Sequence, residues 1–241
     1  MRPANFELDY SHPLARGLVF AGLGNAAGSS RYHDSSPYKQ HGTLVTDATW
    51  EDDAVSLDGS GGYVDCTSAH VPDGVFTLSF WAKLTDTATR RPVLSFADAY
   101  YPAVHLYWAD AERPLIFLGA GNYRYMTPTA TAVGSWTHFA VTVPGSGLND
   151  IDDSAMYQNG VALAEESVYK GGPQSAKSAI RIGYISDNYR FSGLLKDVLL
   201  YDRVLSEAEI LALANPANTM LSGMLKEPGS IGDIYNLEGV R

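Results

Sequence analysis

Between Leu194 and Tyr201 the chain carries a strand-like apolar run, Leu194, Leu195, Val198, Leu199, Leu200 and Tyr201. Ser206 and Glu209 then form an S-x-x-E capping box ahead of Ile210, Leu211 and Leu213. The order predicts a strand leading directly into one short helix that closes a sheet. Upstream, short apolar runs recur between Gly, Pro, Asn and Asp: GLVFAGL, GTLV, DAVSLDG, YVDC, FTLSFWAKL, RPVLSFA, AVHLYW, PLIFLGA, YRYMT, WTHFAVTV, AMYQNG, AIRIGYI and LKDVLLYD. Such spacing predicts an antiparallel β-sandwich rather than βαβ units.

Within these runs the alternation assigns faces. In TLSFWAKL it places Leu78, Phe80 and Ala82 on one side and Thr77, Ser79, Trp81 and Lys83 on the other. In SWTHFAVTV, Phe139, Val141 and Val143 oppose Trp136, His138, Ala140 and Thr142, and His138 reads as a structural histidine beside Trp136. Asn159-Gly160 predicts a two-residue type I′ hairpin, because both positions must accept positive φ. Asp58-Gly59 with Gly61-Gly62 predicts a tight bend. The pattern supports one domain over 14–216, with a polar, extended segment at 1–13 and a tail at 217–241. In that tail Met220, Leu221, Met224 and Leu225 cluster without a sustained period. Four large apolar residues so close together are expected to dock, with a neighbouring subunit as the expected surface.

Composition narrows the partners. The 241 residues include 27 acidic and 17 basic side chains, a formal charge of -10, so a phosphate-neutralising nucleic-acid surface is not expected. Cys66 is the only cysteine, so no intrachain disulfide can form, and its place in YVDCT reads as a buried, inert thiol. No run approaches the ~18 apolar residues of a membrane span, so membrane insertion is not expected. The opening MRPANFELDYSHPLARGLVF lacks the basic and long apolar regions of a signal peptide, so general export is not expected either.

The segments LDGSGGYVD, TLSFWAKL, SWTHFAVTV, MYQNGVAL and FSGLLKDVLLYDRVLSEAEILALA, with D-x-S…H-G-T-L from Asp34 through His41-Gly42, resemble the laminin-G-like members of the concanavalin A-like lectin/glucanase superfamily. GLVFAGLGN and LSEAEILALANP resemble the bacteriophage-encoded type. The resemblance spans roughly 14–216. It implies an all-β jelly-roll sandwich of two antiparallel sheets with one short helix near the C-terminus.

Catalytic spacing is missing. Glycosidases of this superfamily place carboxylates at alternate positions of one strand to flank a glycosidic bond, and neither E-x-D-x-x-E nor E-x-D-x-E occurs. Glu51-Asp52-Asp53 and Glu165-Glu166 are contiguous and read as solvated loops. No nucleophile elbow, H-E-x-x-H, P-loop or dinucleotide fingerprint is present, so the expectation is a protein that is not an enzyme. Asn149-Asp150-Ile151-Asp152-Asp153 reads as an acidic surface loop, with Ala155 and Val161 where an EF-hand needs Gly and Glu. Asp34 and Ser36 are assigned to backbone hydrogen bonding in a turn.

The resemblance implies instead a calcium site between two loops, with Asp98, Asp187 and Asn188 as its ligands. Aromatic residues gather near the same expected rim: Tyr100 and Tyr101, Tyr107 and Trp108, Tyr123 and Tyr125 around Arg124, and Tyr189. Flat rings beside polar groups suit a sugar, which has an apolar face and a polar edge. Asp98, Tyr100, Tyr101, Tyr123, Arg124, Asn188 and Tyr189 are the expected ligand-binding residues.

These readings predict a non-catalytic structural or recognition protein, a phage virion decoration or tail-associated subunit located on a virion or outside cells. Its expected partners are capsid or tail proteins, copies of itself and cell-surface glycans. A secreted carbohydrate-binding adhesion module is the alternative. A polysaccharide hydrolase or lyase stays open to the extent that a site can be assembled across strands.

Overall fold

A computed structural model describes residues 7–23, 29–66, 70–72, 75–85, 92–96, 105–109, 113–117, 123–127, 133–144, 151–170, 179–186, 189–215 and 225–226. In chain order the first strands are β1 (Glu7–Leu8), β2 (Leu18–Gly22), β3 (Arg31–Tyr32), β4 (Gly42–Val45), β5 (Thr49–Glu51), β6 (Ala54–Asp58) and β7 (Tyr63–Cys66). Next come β8 (Phe76–Leu84), β9 (Leu94–Ser95), β10 (His105–Ala109), β11 (Arg113–Phe117), β12 (Tyr123–Met126) and β13 (Thr137–Val143). The remainder are β14 (Ala155–Gln158), β15 (Val161–Ala162), β16 (Glu165–Tyr169), β17 (Ile180–Ile182), β18 (Tyr184–Ser186), β19 (Tyr189–Arg190), β20 (Ser192–Tyr201) and β21 (Leu225–Lys226). Among the described residues one α-helix, α1 (Glu207–Leu213), follows β20, and a 3-10 turn spans Pro13–Ala15.

The backbone of the sandwich is an eight-stranded antiparallel sheet ordered β15-β14-β13-β8-β20-β6-β5, with β2 also paired to β20. Beside it, among the described residues, stand a five-stranded sheet, β3-β4-β7-β17-β9, a four-stranded sheet, β10-β11-β12-β16, and two two-stranded sheets, β1-β21 and β18-β19. Alternation decides which side chains fill it. Leu78, Phe80 and Ala82 of β8, Phe139, Val141 and Val143 of β13, and Val64, Ile180 and Ile182 of the five-stranded sheet share one buried cluster. This is the face assignment that TLSFWAKL and WTHFAVTV predict.

The eight-stranded sheet is covered on its other face as well, which explains the unbroken apolar run in β20. Leu195, Val198 and Leu200 enter the first cluster, while Leu199 and Tyr201 join Leu14, Ala140, Tyr157, Ile210 and Leu213 in a second. Helix α1 therefore lies on the sheet by Ile210 and Leu213, and each such burial contributes roughly 1.5–3 kcal/mol. Ser206 accepts from the Glu209 N–H at 3.3 Å and Glu209 accepts from the Ser206 N–H at 2.8 Å, so the capping box forms as the sequence predicts. Arg203 adds a two-pronged ion pair to Glu209 at 2.6 and 3.0 Å.

Asn159 and Gly160 adopt φ of 50° and 80°, giving the type I′ turn between β14 and β15. Asp34 is fully buried and accepts from the N–H groups of Ala21, Ser36 and Gln40 and from the Ser36 hydroxyl, at 2.8–2.9 Å, which is the turn role assigned to it. One reading changes. Glu165 and Glu166 are not in a loop: they begin β16, an exposed edge strand paired with β12. The 1–13 segment, which reads as polar and extended, carries an apolar anchor: Leu8 is buried in the second cluster and β1 pairs with β21 in the same chain.

Candidate functional site

The site grows from β17. Ile180 and Ile182 point into the core, which leaves Arg181 on the outer face opposite Asp65 of β7. Gly183, at φ +81°, redirects the chain into the β18–β19 hairpin, and its ends are tied where Phe191 N–H donates to the Gly183 carbonyl at 2.9 Å. Tyr184 pairs with Arg190 and Ser186 with Tyr189, so successive side chains leave the hairpin on opposite faces.

Both faces carry rings. On one, Tyr184 stacks on Tyr63 with centroids 4.7 Å apart, and the Arg190 guanidinium lies 4.7 Å from the Tyr184 ring and 5.7 Å from that of Tyr63. Arg190 also donates to the Gly61 carbonyl at 2.9 Å, while Arg181 sits 5.5 Å from Tyr184 and 3.8 Å from the Asp65 carboxylate. The bend bearing Gly61 is held by Asp58, which accepts from the Ser60, Gly61 and Gly62 N–H groups. Desolvation alone would raise the Asp58 pKa, but the Ser60 hydroxyl and these three N–H groups together hold it far below the usual carboxylate range.

On the other face, Ile185 is buried beneath Tyr123, Tyr125 and Tyr189. Tyr123 meets Tyr125 edge-on at 5.3 Å and stacks on Tyr169 at 4.9 Å; Tyr169 is 53% exposed. The hairpin is thus a blade set between two aromatic clusters, one anchored on β7 and the other on β12 and β16.

Of the residues expected at a binding rim, Tyr123 and Tyr189 come together over Ile185. Arg124 turns the other way, because it alternates with Tyr123 and Tyr125 along β12. It donates to the Ile151, Asp152 and Ser154 carbonyls and pairs with Glu165, so its work is to pin the 151–154 turn. Asp98, Tyr100, Tyr101, Asp187 and Asn188 lie outside the described residues, and with them the expected calcium ligands. The strands leading to the two loops are neighbours: β9 pairs with β17, and Ser95 donates to the Tyr184 carbonyl at 2.9 Å. Carboxylate and amide oxygens are the donors a hard cation takes. Arg190 closes the 187–190 stretch where the sequence places recognition, whereas Tyr63, Tyr169 and Tyr184 are not among the residues expected there. The outward phase of YVDC marks Tyr63 as facing away from the core but not its neighbour; Tyr184 is in phase with the buried Ile180 and Ile182 and departs from that phase only after Gly183, at positive φ, and Tyr169 lies on a strand without apolar alternation.

Elsewhere, His138 lies under Trp81, ring centroids 5.3 Å apart, with Nε2 2.9 Å from the Ser79 hydroxyl. Burial lowers its pKa to about 3, so the ring is neutral at neutral pH. Cys66 is buried, and desolvation pushes its thiol far up. Among the described residues no three His, Cys, Asp or Glu side chains are grouped to hold a metal.

The sheets, helix α1 and the blade define a concanavalin A-like sandwich. The family model of the laminin-G type in the concanavalin A-like lectin/glucanases superfamily matches residues 58–211, more than half of the chain, and the protein belongs to that family. It is similar to the pentraxin-related protein PTX3 of Mus musculus, 23% identical over 148 residues, covering 57% of this chain and 38% of that protein. The chain thus spans well under half the length of that relative. Among solved structures, domain 4 of AbnA, a GH43 extracellular arabinanase from Geobacillus stearothermophilus in complex with arabinotriose, superposes with a TM-score of 0.59 at 18% identity. That likeness covers 81% of this chain and 100% of that one. Trypanosoma rangeli sialidase gives 0.62 at 18% identity over 86% of this chain and 33% of its own. Botulinum neurotoxin type C gives 0.63 at 13% identity over 84% and 51%.

Proposed function

We propose that this domain is a non-catalytic recognition module that binds glycans through the β18–β19 blade. The observation that carries the reading is the pair of aromatic clusters on its two faces: Tyr63 and Tyr184 with Arg190, and Tyr123, Tyr125, Tyr169 and Tyr189. Rings flanked by guanidinium and carboxylate groups match the apolar face and polar edge of a sugar. Structures of the same fold support the reading: the arabinanase domain was solved with arabinotriose, and cell entry of the neurotoxin depends on interaction with two ganglioside molecules. The test is a glycan array and affinity electrophoresis with the wild type, Tyr184→Ala and Tyr169→Ala. A several-fold loss of binding in each variant, with unchanged melting temperature, is expected; unchanged binding in both would remove the blade from the function.

Calcium held by Asp98, Asp187 and Asn188 belongs to the same proposal. Addition of calcium is expected to raise the melting temperature, and Asp187→Ala to abolish the rise; no response to calcium sinks this part alone. The sequence likeness to phage-encoded domains supports display on a virion, as a decoration or tail-associated subunit that contacts capsid or tail proteins and self-associates. Co-sedimentation of the purified chain with particles tests that setting.

A further inference from the structure

The D-x-S…H-G-T-L stretch forms a turn outside the blade. It leaves β3, returns to β4, and is organised by the buried Asp34 carboxylate, whose oxygens are filled by donors. Oδ1 accepts from the Ala21 and Ser36 N–H groups at 2.9 and 2.8 Å, and Oδ2 from the Gln40 N–H and the Ser36 hydroxyl, both at 2.8 Å. Ala21 belongs to β2, which the turn meets twice more: Ser35 N–H donates to the Ala21 carbonyl at 2.8 Å and the Ser36 hydroxyl to the Val19 carbonyl at 3.1 Å. The turn therefore ties the eight-stranded sheet to the five-stranded one. It also holds two distant segments. Tyr10 donates to the Ser35 carbonyl at 2.9 Å, the Lys39 ammonium donates to that hydroxyl and that carbonyl at 3.3 Å, and the Gln40 side chain accepts from the His70 N–H.

One ring decides whether this turn can close. His41 Nδ1 accepts the Asp34 N–H at 3.1 Å, which requires that nitrogen to carry no proton of its own. Protonation would set a ring donor against a backbone donor, and the Asp34 carboxylate, with four donors already on it, has no lone pair left to receive the new one. His33 lies against the same ring, centroids 4.4 Å apart, so a charge on either imidazole opposes a charge on the other. Around the pair, Arg31 of β3 and Lys39 of the turn oppose protonation and Asp34 favours it. From β7, Asp65 stands opposite Thr43 and 3.8 Å from Arg181, and His70 stacks on Tyr38 with centroids 5.0 Å apart. Burial first, then this excess of positive neighbours, lowers the pKa of both His33 and His41. Both rings are half-buried and within reach of solvent protons.

We infer that His41 is the pin of an acid-released clasp: at neutral pH its ring holds the 34–41 turn closed across the two sheets, and protonation at Nδ1 opens that turn and frees the Tyr10 and His70 segments it ties down. The sign follows from linkage. Folded midpoints below the ordinary 6.5 mean that the closed turn refuses a proton the open turn accepts, so closure is complete above 6.5 and is lost as pH falls through the folded values. Amide exchange of the isotope-labelled full-length chain, corrected for intrinsic rates, tests this between about pH 7.5 and 5. Protection at Asp34, Ser36 and Gln40 is expected to fall by up to about tenfold per pH unit below 6.5, while Phe139 and Val141 in β13 keep theirs. His41→Asn, which retains an acceptor but does not titrate, is expected to hold Asp34 protected at every pH. His41→Phe, which has no acceptor, is expected to leave the Asp34 amide open at pH 7.5, as acid does in the wild type. Constant Asp34 protection in the wild type, or an equal acid loss in His41→Asn, overturns the inference. So does a loss shared by Phe139 and Val141, since the opening would then be that of the whole domain.

Discussion

Single side chains show where the fold is least forgiving. Gly193 in β20 sits at φ +139°, and an added Cβ would lie 2.2 Å from the Lys83 carbonyl oxygen of the neighbouring strand. Neither the dihedral nor the space suits another residue, so Gly193→Ala should cost about 2–4 kcal/mol, read as a lower denaturation midpoint at constant slope. His138 makes a different demand. Its folded pKa of about 3 lies below the unfolded value of 6.5, so between those pH values the unfolded chain binds a proton that the folded chain refuses. Stability should therefore fall as pH is lowered from 6.5 towards 3, by up to about 1.4 kcal/mol per pH unit. His138→Gln, which keeps a partner for Ser79, should flatten urea midpoints measured between pH 7 and 4. An equal slope in the variant would show that other groups carry the acid sensitivity.

Elements were legible where they bury one face and hidden where they bury none. The β8, β13 and β20 runs declare themselves because Phe80, Phe139 and Leu195 must enter a core, and α1 because Ser206 and Glu209 spell its cap. β16 was missed for the opposite reason: Glu165, Glu166, Ser167 and Tyr169 are exposed, and the strand is held by main-chain pairing to β12 rather than by an apolar face. The candidate site divides in the same way. Tyr123 and Tyr189 could be placed near one another from their loops, but the direction of Arg124 depended on the phase of β12, which three tyrosine and arginine letters do not reveal. Tyr63, next to Tyr184 only through strand pairing across the chain, needed the fold to be found.

The cap offers a clean test at this scale. Ser206→Ala should destabilise by about 1 kcal/mol, visible as a small drop in melting temperature without change in ligand binding. Glu209, lowered to about 2 first by the Arg203 hydrogen bonds and against desolvation, contributes stability that is fully present above 4.5 and lost as pH falls through 2. Glu209→Gln should remove that acid limb; an unaltered limb would mean the Arg203 pair is inert in solution, as exposed pairs often are.

For the molecule as a whole, the pairing of β1 with β21 joins segments far apart in the chain. Glu7 pairs with Lys226 and Leu8 with Leu225, and Leu8 is buried with Leu14, Leu18 and Leu205 against the second face of the main sheet. Residues 225–226 thus pair within their own chain, while the apolar composition of the tail points to a neighbouring subunit as its surface. The two roles predict different results for a chain ending at residue 216. If the β1–β21 pairing supports the fold, truncation lowers the melting temperature by about 2–4 °C for each kcal/mol lost and speeds amide exchange at Leu8, in dilute monomer as much as at high concentration. If the tail instead works by attachment, truncation leaves melting and exchange untouched and reduces only self-association. The buried Leu8 favours the first result, because unpairing its strand exposes an apolar side chain whose burial is worth roughly 1.5–3 kcal/mol.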